Sequence, residues 1–127
     1  MHIPFYANFS LRERALAFLD DTARFYNEEN RGCDKDGGSI YYLTENSPGC
    51  AIGRYCDQIA TFKMKKKLNA SYLQYLPGWM KEIDIKILSA IQNLHDYPSH
   101  WCANGISLEG AVYYHEVKSI INEIYPN

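Results

Sequence analysis

The stretch around which the predicted fold is organised is NSPGCAIGRYC, residues 46–56. A Ser-Pro-Gly turn leads into small residues, two cysteines and an arginine, and this order predicts a buried helix from Cys50 to about Ala60. The first N–H groups of a helix have no partner inside the helix and favour an anion. The segment therefore indicates a polar pocket in which Arg54 supplies a fixed positive charge.

The clearest helix signal outside this segment begins at Ser10. Ser10 and Glu13 match a capping box, in which each side chain accepts a hydrogen bond from the backbone N–H of the other residue. Apolar residues then recur at helical spacing, and they predict a helix that ends near residues 30–32.

Two more helices are predicted in the second half of the chain. Asp84 caps a helix with these buried positions: Ile83, Ile87, Leu88, Ile91 and Leu94. Ser107 caps the last helix, which has this expected core stripe: Leu108, Ala111, Val112, Val117, Ile120, Ile121 and Ile124. Residues 95–102, between these helices, have the composition of a polar loop.

Shorter patterns complete the predicted architecture. Residues 39–43 are β-prone and predict one strand, or half of a small hairpin. Residues 69–76 predict a short helix that stops at Pro77. The expected fold is mainly α with a minor β part: a compact single domain over 1–127, with four or five helices and a small β-hairpin. We expect the first and last helices to pack together.

Composition narrows the class of protein. With 46% hydrophobic and 22% charged residues, the 127-residue chain is typical of a globular domain. A net charge of −2 argues against a nucleic-acid or membrane-surface protein, and the lysines at 63–67 form too short a run to change this. The amino-terminal residues lack the pattern of a secretion signal, so we expect a cytoplasmic protein. The 11 tyrosines are compatible with a homo-oligomer interface.

The main candidate site is a pocket for an anionic, nucleotide-like ligand. An arginine can donate two parallel hydrogen bonds to a phosphate, backbone N–H groups add further donors, and aromatic rings stack on a base. We expect the guanidinium to open onto the same hollow as the His-Asp pair after the 84–94 helix. The predicted ligand-binding residues are Arg54, Gly53, His95, Asp96, Trp101 and Tyr42. The alternative is that Arg54 pairs with a buried carboxylate.

Two other chemistries fit some of the same residues. A cysteine-dependent hydrolase would use the Cys50 thiolate as nucleophile, with His95 and Asp96 as the base pair. Against it, residues adjacent in the chain are not expected to orient one another as a triad requires. A zinc site would draw on His95, His100 and Cys102, completed by Cys50 and Cys56, but their spacings match no compact zinc pair. We therefore expect neither metal nor cofactor.

The motifs CAIGR (50–54), LHD (94–96), Trp101 and GISLEG (105–110) together resemble a pattern in small uncharacterised phage and bacterial proteins. In that pattern, a Cys-Ala-[Ile/Val]-Gly-Arg segment precedes a Leu-His-Asp segment. The resemblance implies a compact helical fold with a small β element, and it implies no activity. A phage origin would favour a role directed at the host.

Three functions are therefore expected from the sequence, in order of preference. The first is a non-enzymatic small binding protein, such as a phage-type anti-defence protein that sequesters an anionic nucleotide-like ligand. The second is a protein–protein interaction module that inhibits a host enzyme. The third is the cysteine-dependent hydrolase.

Overall fold

The structure is a computed structural model that describes residues 8–29, 51 and 76–127. Its helices are α1 (Leu11–Phe25), α2 (Gly78–Lys81), α3 (Ile85–Asp96) and α4 (Leu108–Ile124), with a 3-10 turn at Pro98–His100. The strands β1 (Trp101–Cys102) and β2 (Gly105–Ile106) form an antiparallel hairpin. The predicted class, mainly helical with a small hairpin, is confirmed.

Several predictions lie outside the described residues. These are the strand at 39–43 and, apart from residues 51 and 76, the helices at 50–60 and 69–76. The hairpin that the structure describes begins at the end of the predicted polar loop, with β1, and continues beyond it to β2. Within it, Trp101 pairs with Ile106 and Cys102 with Gly105, whose φ of +130° suits a residue without a Cβ.

The predicted helix starts at Ser10, Asp84 and Ser107 are confirmed. The Ser10 hydroxyl accepts from Glu13 N at 3.2 Å, and Glu13 Oε1 accepts from Ser10 N at 2.9 Å, which completes the capping box. Asp84 Oδ1 accepts from Lys86 N at 2.8 Å. The Ser107 hydroxyl accepts from Gly110 N at 3.1 Å. Each contact satisfies a donor that the helix itself leaves without a partner.

The predicted end of α1 is wrong, because the helix stops at Phe25 rather than near residue 30. Tyr26 takes an extended conformation, with φ −92° and ψ 155°, and is buried. Its ring packs on His95 and Trp101, and Glu28 N then donates to Cys102 O at 3.0 Å. Contacts with distant residues end the helix here, and the local periodicity does not contain them.

The core lies among α1, α3 and α4, and the predicted pairing of the first and last helices is confirmed. Arg12 Nη2 donates to Asn122 Oδ1 at 2.8 Å across that pair. Fully burying a large aliphatic side chain stabilises a fold by about 1.5–3 kcal/mol. The large, fully buried side chains include Phe18, Leu19, Met80, Ile87, Leu88, Ile91, Leu94 and Ile121. All five buried positions predicted around α3 are confirmed.

The predicted core stripe of α4 is correct only in its second half. Val117 and Ile121 are buried, and Ile120 and Ile124 pack partly against the core. Leu108 and Val112, by contrast, are 85% and 57% exposed. The residue of the first turn that faces the core is the buried Gly110. Because a helix turns about 100° per residue, Leu108 and Val112, two positions on either side, point away from the core.

Candidate functional site

The structure describes half of the predicted ligand-binding set. His95, Asp96 and Trp101 lie at the end of α3 and in β1. The other predicted site residues lie outside the described ranges: Arg54, Gly53, Tyr42 and the cysteine Cys50. The convergence of Arg54 with the His-Asp pair therefore stays a prediction, as does the thiol site.

His95 and Asp96 do contact each other, although they are neighbours in the chain. His95 Nδ1 lies 2.8 Å from Asp96 Oδ1, and Gln92 Nε2 donates to the same oxygen at 2.7 Å. A carboxylate only accepts, so His95 Nδ1 must hold a hydrogen and donate. Gln92 Nε2 and His95 Nδ1, 3.5 Å apart, are then two donors and form no bond with each other. Our expectation that adjacent residues would not orient one another was wrong for this pair.

This cluster is mostly closed to solvent. The His95 side chain is 0% exposed and that of Asp96 27%. The Tyr26 ring meets the His95 ring edge-on at 4.6 Å between centroids, and the Trp101 ring follows at 5.9 Å from Tyr26. Trp101 is itself buried, so within this cluster Asp96 is the group that a ligand reaches most easily.

The end of α3 is held by two side chains from the segment that follows. His100 Nδ1 lies 2.9 Å from Leu94 O, and Trp101 Nε1 donates to His95 O at 3.0 Å. A carbonyl only accepts, so His100 Nδ1 is a donor as well. The His100 ring also stacks on Tyr113, with 5.0 Å between centroids and 20° between planes. These contacts satisfy carbonyls of the last helical turn, a structural role for both side chains.

The cluster gives no sign of a metal centre. Among residues 8–29, 51 and 76–127, no group of three or more His, Cys, Asp or Glu side chains is placed to hold a metal ion. His95 and His100 each use Nδ1 on a protein acceptor. The chemistry available here is hydrogen bonding within a packed corner.

A second site, which the sequence analysis did not identify, lies between α1 and α4. It is a cavity of about 290 Å³ at the surface, and we call it the α1–α4 cavity. Ala23 and Ala111 are small residues on the two helices, which helps to leave this space between them. Its lining residues are Asp20, Ala23, Arg24, Ile106, Ala111 and Tyr114.

The polar groups of this cavity form one pair and leave one cation unpaired. The Tyr114 hydroxyl donates to Asp20 Oδ1. Burial, followed by this hydrogen bond and the Asp20 charge, raises the pKa of Tyr114 to about 12, so the phenol keeps its proton at neutral pH. Asp20 and Arg24 are four residues apart on α1, a spacing at which opposite charges commonly pair. They form no ion pair, and Arg24 has no hydrogen-bond or salt-bridge partner in the part of the chain that the structure describes.

The sequence contained only a weak signal for this cavity. Asp20 and Arg24 fall off the main apolar stripe of α1 and read as solvated positions. What makes them a site is the hydroxyl of Tyr114, which comes from a residue 94 positions away. Only the pairing of the first and last helices, which we did expect, brings these groups together.

Comparisons with known proteins give no match, so the function is inferred from the fold and the site. No protein-family model matches the chain, and no curated protein or solved structure shows a significant match. The described residues define a helical protein with a small hairpin and a surface cavity that presents an unpaired arginine. They contain no helix that is long and apolar enough to cross a membrane.

Proposed function

We propose that this protein is a non-enzymatic small binding protein for an anionic ligand, and that Arg24 binds the anion at the α1–α4 cavity. The observation that supports this is a guanidinium with no hydrogen bond or ion pair in the described residues, at the wall of a 290 Å³ cavity. The position next to Asp20 would normally neutralise it, but Asp20 accepts from Tyr114 instead.

The chemistry of the lining fits a small ligand with an apolar part. Guanidinium offers five donors in a planar fork that matches carboxylate and phosphate. Ala23, Ile106 and Ala111 supply apolar walls, which lower the local dielectric and strengthen a charge-assisted hydrogen bond. Cavities that hold small molecules have volumes of about 300–1,000 Å³, so this one suits a ligand at the small end of the range.

The finer proposal comes from the sequence. The ligand is nucleotide-like and is sequestered in the manner of a phage-type anti-defence protein, with Arg54 and Gly53 contributing to its site. The supports are the turn and helix start at 46–56 and the resemblance to phage proteins. Arg24 and Arg54 are therefore two candidate anion-binding residues, and mutating each one tests its contribution separately.

Thermal unfolding in the presence of anions tests the proposal. Ligands that bind only the native state stabilise it, by about 2.7 kcal/mol at one hundred times Kd. We expect inorganic phosphate, adenosine monophosphate, a cyclic nucleotide or a small carboxylate to raise the Tm of the wild-type protein. A charge-assisted hydrogen bond contributes about 1.5–3 kcal/mol, so Arg24→Ala should weaken binding by roughly 10- to 100-fold.

Matched variants make the result specific. Lys118→Ala removes one positive charge from an exposed residue of α4 that does not line the cavity, and should leave the shift unchanged. If Arg54→Ala abolishes the shift and Arg24→Ala does not, the ligand occupies the sequence-predicted site. If no anion shifts the Tm at millimolar concentration, the proposed function is refuted.

One observation favours the second candidate, a protein–protein interaction module that inhibits a host enzyme. Leu108, Val112 and Tyr97 are large apolar side chains that are 85%, 57% and 53% exposed. Exposed apolar residues are costly in water, and clusters of them mark interaction surfaces. A host protein that binds the wild type but not the Leu108→Ser and Val112→Ser variants would support this function, and equal binding by the variants would contradict it.

A further inference from the structure

We infer that the α1–α4 cavity takes a zwitterion of the α-amino-acid class, with its carboxylate on Arg24 and its ammonium group on Asp20. This inference rests on the proposed function, because it assigns the anion to Arg24. It adds a second recognition element, a carboxylate on the same wall, and so names the class of ligand.

Asp20 has acceptor capacity left over. A carboxylate has two oxygens with about four lone-pair sites. The Tyr114 hydroxyl uses one site, on Oδ1, and Asp20 has no further hydrogen bond or ion pair in the described part of the chain. An acceptor beside apolar walls gains most from a charged donor such as an ammonium group.

The spacing of the two charges favours a ligand in which ammonium and carboxylate are close together. Residues four apart on a helix have Cβ atoms about 5–6 Å apart. Tyr114 draws Asp20 towards α4, so the opposite charges of Asp20 and Arg24 lie on one wall without an ion pair between them. An α-amino acid has both of its charged groups on one carbon and can bridge such a pair. A nucleotide, by contrast, separates its phosphate from its base by a sugar.

The remaining lining defines the side chain of the ligand. A cavity of about 290 Å³ lies at the small end of the range for small-molecule sites, which suits an amino acid. The other lining residues, apart from Tyr114, are Ala23, Ile106 and Ala111, which have no charge. An aliphatic side chain, as in leucine, would bury its surface against them.

Titration calorimetry of the full chain with four probes tests the inference. The probes are L-leucine, N-acetyl-L-leucine (no ammonium), L-leucinamide (no carboxylate) and inorganic phosphate. We expect L-leucine to bind best, with each blocked analogue weaker by about tenfold or more. Asp20→Asn should weaken L-leucine towards the affinity of the N-acetyl analogue. Arg24→Ala should weaken it towards that of the amide, and Lys118→Ala should change nothing.

The outcomes separate this inference from the proposed function. If phosphate binds in an Arg24-dependent way and L-leucine does not bind, Arg24 is an anion site and the amino-acid assignment is overturned. If L-leucine binds equally well to wild type and Asp20→Asn, the assignment is overturned as well. If neither L-leucine nor phosphate binds, the anion site and the inference both fail. Circular dichroism of each variant shows whether it is folded. We expect both variants to fold, because Asp20 and Arg24 both have solvent exposure.

Discussion

The close approach of α4 to the 3-10 turn at Gly110 predicts a large effect of a single methyl group. A Cβ added at Gly110 would lie 2.2 Å from the backbone oxygen of His100 and 2.6 Å from Cγ1 of Ile106. The Ile106 side chain has rotamers to change, but the carbonyl has none. That carbonyl also accepts from Ser107 N at 2.7 Å, so displacing it strains the start of α4.

The expected change in the free energy of unfolding follows from two effects that lower it and one that raises it. Overpacking a tight site costs about 1–3 kcal/mol, and the upper end applies because the clash is with backbone. Weakening the Ser107 hydrogen bond adds about 1 kcal/mol. Replacing glycine by alanine in a helix returns up to about 1 kcal/mol. We expect Gly110→Ala to lower the free energy of unfolding by about 2–3 kcal/mol, and the Tm by roughly 10 °C for a chain of this length.

Thermal and urea unfolding, followed by circular dichroism, measure this effect. Gly78→Ala is the matched control: it lies in the first turn of α2, and its added Cβ would meet nothing within 4 Å. That variant should melt within a few degrees of the wild type. If Gly110→Ala also melts there, α4 does not approach His100 as closely as described.

Three further predictions concern single groups. Gly105→Ala meets no atom closer than 4.0 Å, so its expected cost of about 1–3 kcal/mol in urea unfolding comes from the φ of +130° alone, and an unchanged stability would contradict that conformation. Because the folded pKa of Tyr114 is raised from 10.0 to about 12, its stabilising effect is complete below pH 10 and is lost as pH rises towards 12. The pKa of Tyr113 is also raised by burial, so ultraviolet titration should show late-ionising tyrosines, one of which Tyr114→Phe removes. A titration curve that Tyr114→Phe does not change at high pH would refute the Asp20 pairing. The hydrogen bonds from Ser10 lower the pKa of Glu13, so their contribution is present above about pH 4.5 and is lost as pH falls through the depressed value. Ser10→Ala removes the hydroxyl but keeps the backbone N–H that bonds Glu13, so it should raise the Glu13 pKa measured by NMR only part of the way to its ordinary value and cost about 1 kcal/mol. A wild-type Glu13 pKa that is not lowered would exclude the capping box.

Local sequence rules were sufficient for the starts of α1, α3 and α4, but not for the short α2, which begins after Pro77 without a side-chain cap. Ser10, Asp84 and Ser107 each cap the helix that they were predicted to cap, because capping depends on residues two or three positions away. The end of α1 was not predictable in this way. Tyr26 leaves the helix to pack on His95 and Trp101, some 70 residues further along the chain.

Periodicity also has a limit at the first turn of α4. Leu108 and Val112 fit an apolar stripe, and only the tight approach of Gly110 to His100 shows that the core lies on the other face. A small residue in a pattern gives no hydrophobic signal, yet here it defines the buried side.

The candidate sites also differ in whether local or distant residues define them. The His95–Asp96 contact lies within one turn of helix, so it is local in the sequence, but we expected neighbours in the chain not to align in this way. The α1–α4 cavity joins Asp20 to Tyr114 across the fold, and Arg24 becomes notable only because that pairing leaves it without an ion-pair partner among the described residues. Pairings between distant side chains depend on how helices are rotated against each other, which composition and spacing do not specify.

The most direct test of the anion site is the NMR signal of the Arg24 side-chain Nε–H during titration with L-leucine and with inorganic phosphate. We predict a saturable change of this signal. Arg14 is the internal reference, because its Nε already donates to Phe9 O at 2.9 Å, and its signal should stay in place. An Arg24 signal that does not move, or that moves only as much as the Arg14 signal with rising ionic strength, would contradict binding at the α1–α4 cavity.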